Sequence, residues 1–211
     1  MSDRESFLAA FPVSPATAAA FDDYARLVLD YNDQHNIMSA SAAADVWRRH
    51  MHDSAQLYPL LPPAAQTLLD IGSGAGFPGI VLALLARDEG RVLDIYLAES
   101  VQKKAAFLHM TAEKLGLSVT VHAARAEKIG KKFDVVTARA VAPLDELLGI
   151  IVPCLKKGGV ALLLKGARAP EELTKAQKNW HFQLESHQSH TGDGHILQLK
   201  EIARVAQKRS R

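Results

Sequence analysis

The spacing of hydrophobic residues divides the chain into two parts. In the first part they recur at the interval of one helical face, at positions Phe21, Ala25, Val28 and Tyr31. Ser14 and Pro15 form a helix start in front of this stripe, with an N-cap serine followed by a first-turn proline. A second helical segment is predicted over residues 42–58, because Pro59 stops it. These patterns predict a helical N-terminal extension over residues 1–63.

From Gln66 onward, short apolar runs alternate with helical stretches. Strands are predicted over residues 67–71, 92–98, 118–122, 133–138, 160–164, 180–185 and 195–201. Helices are predicted over residues 79–87, from the end of the 92–98 strand through residue 115, and over residues 143–155. A further short helix is predicted after Pro170. Strands that alternate with helices form the crossover units of a parallel sheet, and fully apolar strands are covered on both faces. The predicted fold class is α/β, a doubly wound and mostly parallel sheet over residues 64–205, followed by a basic tail at 206–211.

Length, composition and the single cysteine suggest the size class and the cellular location of the protein. The chain has 211 residues, 48% of them hydrophobic, which suits one α/β domain with a modest extension. Its apolar runs are shorter than the ~20 residues of a bilayer span, and its first residues lack the order of a secretory signal. Cys154 is the single cysteine, so an internal disulfide is excluded. We therefore expect a cytoplasmic monomer that makes no membrane contact.

Charge is distributed unevenly along the chain. Residues 1–70 hold 4 Lys/Arg and 9 Asp/Glu, whereas residues 71–211 hold 21 and 14. The basic balance of the second part is compatible with a phosphate-rich partner, although an ordinary solvated surface gives the same balance. The histidines show no His-x-x-x-His pattern on a clear helix, so no metal is expected.

A glycine-rich loop follows the first predicted strand. Gly72, Gly74 and Gly76 stand between that strand and the next helix, where glycine allows a tight turn and close approach of the backbone to a ligand. A dinucleotide fingerprint needs its third glycine at the position of Phe77, and the lysine of a Walker loop is absent. The loop, including Ser73, is predicted to bind a different cofactor; a tight turn without a ligand is the alternative.

Acidic residues at the strand ends narrow the choice of cofactor. Asp70 lies at the end of the first strand, two positions before Gly72, where a carboxylate repels a pyrophosphate but suits a cationic sulfonium or ammonium group, directly or through water. Glu99, with Ser100 beside it, ends the second strand and is placed to bind ribose hydroxyls; a carboxylate at a helix N-terminus is the alternative. Ala126 and Glu127 follow the third strand, where an adenine would lie, although Glu127 also fits a solvated charge. This set favours S-adenosylmethionine.

Two basic residues end the fourth and fifth strands. Arg139 and Lys165 therefore lie at the edge of the sheet where such folds bind ligands. We predict positioning and electrostatic roles for both. The guanidinium of Arg139 can hold a carboxylate or phosphate bidentately. A structural salt bridge is the alternative for Arg139, and a solvated side chain is the alternative for Lys165.

Several segments in both parts of the chain resemble one family. They are residues 31–36, 49–54, 70–79, 125–127, 133–140 and 164–166, in family order over about residues 20–200. On these segments the chain resembles the bacterial RsmG (GidB) family, which methylates N7 of guanine in 16S ribosomal RNA. The Arg-His-x-x-Asp-Ser segment at 49–54 and the Ala-Arg-Ala segment at 138–140 are more specific than the glycine loop, which many methyltransferases share.

The resemblance implies a Rossmann-like class I methyltransferase fold with S-adenosyl-L-methionine as cofactor. It implies a guanine in a loop of 16S rRNA as the target, with the RNA expected in a small-subunit ribonucleoprotein. Guanine N7 carries a lone pair and no proton, so direct displacement needs no general base and no covalent intermediate. The matching positions expected at the cofactor are Gly72, Phe77, Ala126, Glu127 and Arg139, and Lys165 is expected at the mouth of the site.

Contacts with RNA are expected from basic residues around this site. The candidates are Arg48, Arg49, His50, Lys165 and Arg168. Asp45 and Asp53 stand at helical spacing from the two arginines, so local ion pairs are the alternative. The stretch 192–195 lacks a basic residue that the family often carries there, and we expect His195 or Lys200 to replace it.

Two other functions stay open on the residues alone. A small-molecule or protein methyltransferase uses the same scaffold, but the basic balance of residues 71–211 disfavours it. A non-catalytic nucleic-acid-binding module with a vestigial cofactor loop is disfavoured by the intact Asp70, the three glycines and Glu99.

Overall fold

A computed structural model describes residues 1–206 of the chain. Its helices are α1 (Asp3–Ala10), α2 (Pro15–His35), α3 (Ala40–Ala44), α4 (Asp53–Ala55), α5 (Gly79–Asp88), α6 (Gln102–Lys114), α7 (Leu144–Cys154) and α8 (Ala169–Ala176). Its strands are β1 (Thr67–Ile71), β2 (Asp94–Ala98), β3 (Val119–His122), β4 (Phe133–Arg139), β5 (Leu155–Lys165), β6 (Trp180–Gln188) and β7 (His195–Arg204). All seven predicted strands are present, and β5, β6 and β7 are longer than predicted.

The strands form one sheet in the order β3-β2-β1-β4-β5-β7-β6. Neighbours from β3 to β5 are parallel, whereas β7 is antiparallel to both β5 and β6. The predicted doubly wound, mostly parallel sheet is therefore confirmed. The strand order switches direction between β1 and β4, because β2 and β3 lie on one side of β1 and the later strands lie on the other. The carboxyl ends of β1 and β4 border the crevice where such sheets bind ligands.

Two hydrophobic cores cover the two faces of the sheet. Adjacent residues of β1 belong to different cores: Leu68 packs with α2 and α5, whereas Leu69 packs with α7. All five residues of β1 are buried, because helices cover both faces of the strand. This double burial explains why the strand is a continuous apolar run in the sequence.

The N-terminal part differs from its prediction in two respects. Helix α1 was not predicted; a capping box between Ser2 and Glu5 starts it, and its Phe7 is fully buried against the ring of Phe21. The segment predicted as one helix over residues 42–58 is instead broken, with a π-helical turn at Val46–His52 between α3 and α4. The wider turn buries residues four and five positions apart, at Val46, His50 and Met51.

The N-terminal helices share the first core with the sheet. The division into an extension over 1–63 and a domain over 64–205 stays a prediction. Among residues 1–206, no helix combines the length and apolarity needed to cross a membrane. Positions 207–211 of the predicted basic tail lie outside the described residues.

Candidate active site

The glycine loop is bonded to the end of β2. Gly72, Gly74 and Gly76 have φ values of 64°, 58° and 100°, which residues with a side chain rarely adopt. The N–H groups of Gly72 and Ser73 donate to the carbonyl of Ala98 at 2.9 and 3.2 Å. The loop therefore lies across the carboxyl ends of two neighbouring strands, at the predicted place.

Asp70 lies beneath this loop. Its side chain is fully buried, and its oxygens accept from Thr137 Oγ1 at 2.9 Å and from the N–H of Gly79 at 3.2 Å. Burial raises the pKa of Asp70 to about 6, against the lowering effect of these hydrogen bonds. The predicted direct contact of Asp70 with a cationic ligand is wrong, because the carboxyl group has no exposed surface; Asp70 instead joins β1, β4 and the start of α5.

Glu99, which follows β2, binds the backbone of the same loop through its side chain. Its Oε2 accepts from the N–H of Gly74 at 2.9 Å, and its Oε1 accepts from the N–H of Val101 at 2.8 Å. The second bond matches the alternative of a carboxylate near the start of α6. A carboxylate oxygen has two lone pairs, so each oxygen retains an acceptor position for a ligand hydroxyl. Ser100, beside Glu99, is exposed.

Tyr24 of α2 reaches the glycine loop from the N-terminal part. Its side chain is fully buried, and its hydroxyl donates to the carbonyl of Ala75 at 2.7 Å. Its ring centroid lies 5.1 Å from that of Phe77. The sequence pattern marks Tyr24 only as one more residue near an apolar helical face, so its bond to the loop could not be predicted.

Arg139, His50 and Phe77 form one stacked cluster. The His50 ring stacks on Phe77 with centroids 5.0 Å apart, and the guanidinium of Arg139 lies 5.6 Å from the Phe77 centroid. Arg139 donates to the carbonyl of Arg49 at 2.7 Å and to Nδ1 of His50. Burial, together with the Arg139 charge, lowers the pKa of His50 to about 3, so this imidazole is neutral.

This cluster changes two predicted roles. His50 is buried against Phe77, which corrects its predicted role as an RNA contact. Arg139 is bonded to the N-terminal segment, so the donors named above do not face a carboxylate or phosphate. The alternative salt bridge is also wrong, because the partners of Arg139 are a carbonyl and a neutral imidazole.

Lys165 is paired inside the protein. Its Nζ donates to the carbonyl of Ala142 at 2.7 Å and to Oε2 of Glu172 at 2.8 Å, and its side chain is only 7% exposed. Glu172 Oε2 also accepts from the N–H of Leu144 at 2.8 Å. Burial raises the pKa of Glu172, but the bonds from Lys165 and Leu144 outweigh it and lower the pKa overall. Lys165 therefore stabilises the segment after β4, which corrects the view of a solvated lysine. It also lines the cleft at this edge of the sheet, where it was expected, and its contact with RNA stays a prediction.

Replacing Lys165 with methionine is expected to lower the free energy of unfolding by about 2 kcal/mol, because Glu172 loses its partner in a largely buried site. Urea unfolding followed by circular dichroism measures this change. Lys200→Met is the matched control: its pair with Glu185 is 37% and 59% exposed, so the expected loss is below about 0.5 kcal/mol. Equal losses in the two variants would contradict the stabilising role of the Lys165–Glu172 pair.

An open cleft of about 840 Å³ adjoins this cluster. Its walls come from the start of α3, from residues 49–53, from the segments that follow β4 and β5, and from the β6–β7 turn. Arg49 and Arg168 are exposed at its border, as expected for RNA contacts, and His195 lines it. Lys200 lies five residues farther along β7, outside the cleft lining, and contacts Glu185, so of the two expected replacements for the family's basic residue only His195 lies at the cleft.

The remaining predicted residues have simpler surroundings. Ala126 is buried in a single helical turn after β3, whereas Glu127 is exposed. Arg48 donates to the carbonyl of Thr191 at 3.3 Å. Within residues 1–206, neither Asp45 nor Asp53 forms an ion pair with Arg48 or Arg49, so the alternative of local pairing is wrong.

Curated relatives share most of the chain. The model of the GidB family, described as rRNA small subunit methyltransferase G, matches residues 17–197. A ribosomal RNA small subunit methyltransferase G from Rhodospirillum centenum is 44% identical over 199 residues, covering 93% of this chain and 90% of the relative. A protein of the same name from Caulobacter vibrioides is 42% identical over 194 residues, covering 90% and 89%.

Solved structures share the fold. A putative O-methyltransferase from Klebsiella pneumoniae has a TM-score of 0.60 at 16% identity, covering 94% of this chain and 95% of its own. Magnesium protoporphyrin IX methyltransferase from Synechocystis PCC 6803, solved with bound SAM, has a TM-score of 0.59 at 16% identity, covering 84% and 97%. The Rossmann-like methyltransferase fold is thus confirmed. Since the family match spans most of the chain at over 40% identity to its relatives, the chain belongs to the family of rRNA small subunit methyltransferase G.

Proposed function

We propose that this protein transfers the methyl group of S-adenosylmethionine to N7 of a guanine in a loop of 16S rRNA. Membership in the family supports an S-adenosylmethionine-dependent rRNA methyltransferase. The observation that carries the proposal is the meeting of the glycine loop, Glu99 and the end of β4 at one edge of the sheet, beside a cleft of about 840 Å³. The protein acts as a cytoplasmic monomer, without a metal, on RNA within the small-subunit ribonucleoprotein.

The crevice suits the cofactor in shape and charge. Side chains at Gly72 and Gly76 would collide with Val141, Ile80 and Tyr24, so only glycine lets the loop adopt this conformation at the sheet edge. Glu99 offers acidic acceptors to two ribose hydroxyls. S-adenosylmethionine, when bound, supplies a methyl group on a cationic sulfur.

The chain needs to position the reacting groups and exclude water. Guanine N7 has a lone pair and no proton to remove, so a general base is unnecessary. Placing the base in line with the methyl group supplies much of the rate enhancement. Exposed Arg49 and Arg168 bind phosphates at the cleft border. A single-stranded loop suits the site, because side chains cannot read the narrow major groove of A-form RNA.

A methyl-transfer assay tests this function. Small subunits and naked 16S rRNA from cells that lack the protein are incubated with tritiated S-adenosylmethionine, and the labelled nucleoside is identified by mass spectrometry. We expect 7-methylguanosine, formed faster on subunits than on naked RNA. Label on a different nucleoside would overturn the N7 assignment, and label on protein alone would overturn the substrate class.

A further inference from the structure

The Asp53 side chain joins the N-terminal segment to the turn between β6 and β7. Its Oδ1 accepts from Ser189 Oγ at 2.9 Å and from the Thr191 hydroxyl, 138 positions away in the chain. Gln56, one helical turn later, accepts from the N–H of His190 at 2.8 Å through its Oε1. Two side chains of one helical segment therefore bind three consecutive residues of the turn.

These bonds are partly shielded from solvent, with Asp53 and Thr191 half-buried at the cleft. Ser189 and Gln56 are both buried. The Gln56 amide bridges Asp53 and Ser189, donating to Asp53 Oδ1 at 3.2 Å and to Ser189 Oγ at 3.3 Å. Hydrogen bonds to a charged carboxylate are among the strong ones in proteins. The turn is thus held by a small network centred on the Asp53 carboxylate.

The turn is one wall of the cleft. Asp53, Ser189 and Thr191 all line the cleft, as do the residues of the turn from Gly192 to Gly194. A side chain at Gly194 would lie 3.1 Å from the carbonyl of Lys165, so the turn also presses closely on the end of β5. The position of the wall, and with it the width of the cleft, depends on the Asp53 network.

The same segment also contacts the cofactor side. Arg49 and His50 bind the guanidinium of Arg139, and His50 stacks on Phe77 of the glycine loop. Ser54 Oγ donates to the carbonyl of His50 at 2.5 Å, which ties the two ends of the segment together. Residues 49–54 thus connect the glycine loop with the far wall of the cleft.

We infer that Asp53 is a positioning residue for the RNA substrate, because it holds the β6–β7 turn as the wall of the cleft that receives the target nucleotide. This inference rests on the proposed function. Asp53 acts through Ser189 and Thr191, and among residues 1–206 neither of these two residues bonds to the glycine loop or to Glu99. Its loss is therefore expected to affect the binding of RNA and to leave the binding of S-adenosylmethionine unchanged.

Steady-state kinetics on small subunits test this inference in the full chain. Asp53→Ala is expected to raise KM for subunits about tenfold, with kcat and the S-adenosylmethionine Kd within about twofold of the original protein. The double variant Ser189→Ala/Thr191→Val is expected to raise KM similarly, and adding Asp53→Ala to it adds little, because all three residues act in one network. Asp53→Asn, which keeps one acceptor oxygen, restores part of the loss.

Asp45→Ala is the matched control, because Asp45 carries the same charge eight positions before Asp53 and lies outside the cleft lining; its KM is expected to be unchanged. An unchanged KM in both Asp53→Ala and the double variant would overturn the inference. A weaker affinity for S-adenosylmethionine, in proportion to a lower melting temperature, would also overturn it and indicate a role in folding alone. If the original protein methylates no subunits, the proposed function fails; if it does and the variants match it, only this inference fails.

Discussion

Replacing Gly76 with alanine is expected to lower the free energy of unfolding by about 3 kcal/mol and to abolish methyl transfer. Gly76 has a φ of 100°, and an added Cβ would lie 2.6 Å from both Ile80 Cγ1 and the Tyr24 hydroxyl. Both neighbours are fully buried, so neither can withdraw into solvent. Moving Tyr24 would also break its bond to the carbonyl of Ala75 and shift the loop that forms the cofactor crevice.

Gly90→Ala separates the cost of a positive φ from the cost of the collision with Ile80 and Tyr24. Gly90 also has a positive φ, 64°, but an added Cβ there meets nothing within 4 Å. Its expected loss is therefore the conformational cost alone, about 1 kcal/mol. Urea unfolding measures both variants, and calorimetry with S-adenosylmethionine shows whether the crevice survives. Similar losses at the two positions would mean that the contact with Tyr24 and Ile80 is unimportant.

Replacing Glu99 with alanine is expected to weaken the binding of S-adenosylmethionine about 100-fold. Two hydrogen bonds from ribose hydroxyls to a carboxylate contribute about 1.5 kcal/mol each, and their loss corresponds to that factor. The variant also frees the N–H of Gly74, which Glu99 Oε2 now accepts at 2.9 Å. Loss of the cofactor contact and loosening of the loop act in the same direction.

Isothermal titration calorimetry measures this affinity directly. Glu99→Gln tests the charge, since its amide nitrogen cannot accept a hydrogen bond, and we expect an intermediate affinity. Glu113→Ala removes an exposed acidic residue from α6 and serves as the control, with an unchanged Kd. A Kd for Glu99→Ala within threefold of the original value would show that Glu99 serves only the loop and the start of α6.

The regular α/β part of the fold could be predicted closely. Strand β1 begins and ends where predicted, and α5 extends one residue beyond its predicted end, because a double-sided apolar run and a helical stripe are local patterns. The N-terminal part was predicted less accurately. The π-helical turn at Val46–His52 interrupts a stretch whose helical spacing gives no sign of it, since the turn arises from packing His50 and Met51 into the core.

The site could be predicted only in its location. The glycine loop and Glu99 were placed correctly at one sheet edge, because the order of strands and helices determines which ends meet there. The partners of charged residues were not predictable. Arg139 and Lys165 were expected at the ligand edge of the sheet and both line the cleft, but their bonds to a carbonyl of the N-terminal segment and to the carboxylate of Glu172 were not foreseen.

The sequence by itself determined the family, the type and order of the elements and the place of the cofactor crevice, because these depend on short motifs and on the local period of hydrophobic residues. Only the tertiary structure decided what the basic and acidic residues do. Arg139 meets His50 across 89 positions of chain, and Asp53 meets Thr191 across 138. Spacing along a chain carries no information about such contacts, since they exist only where the N-terminal helices pack against the sheet.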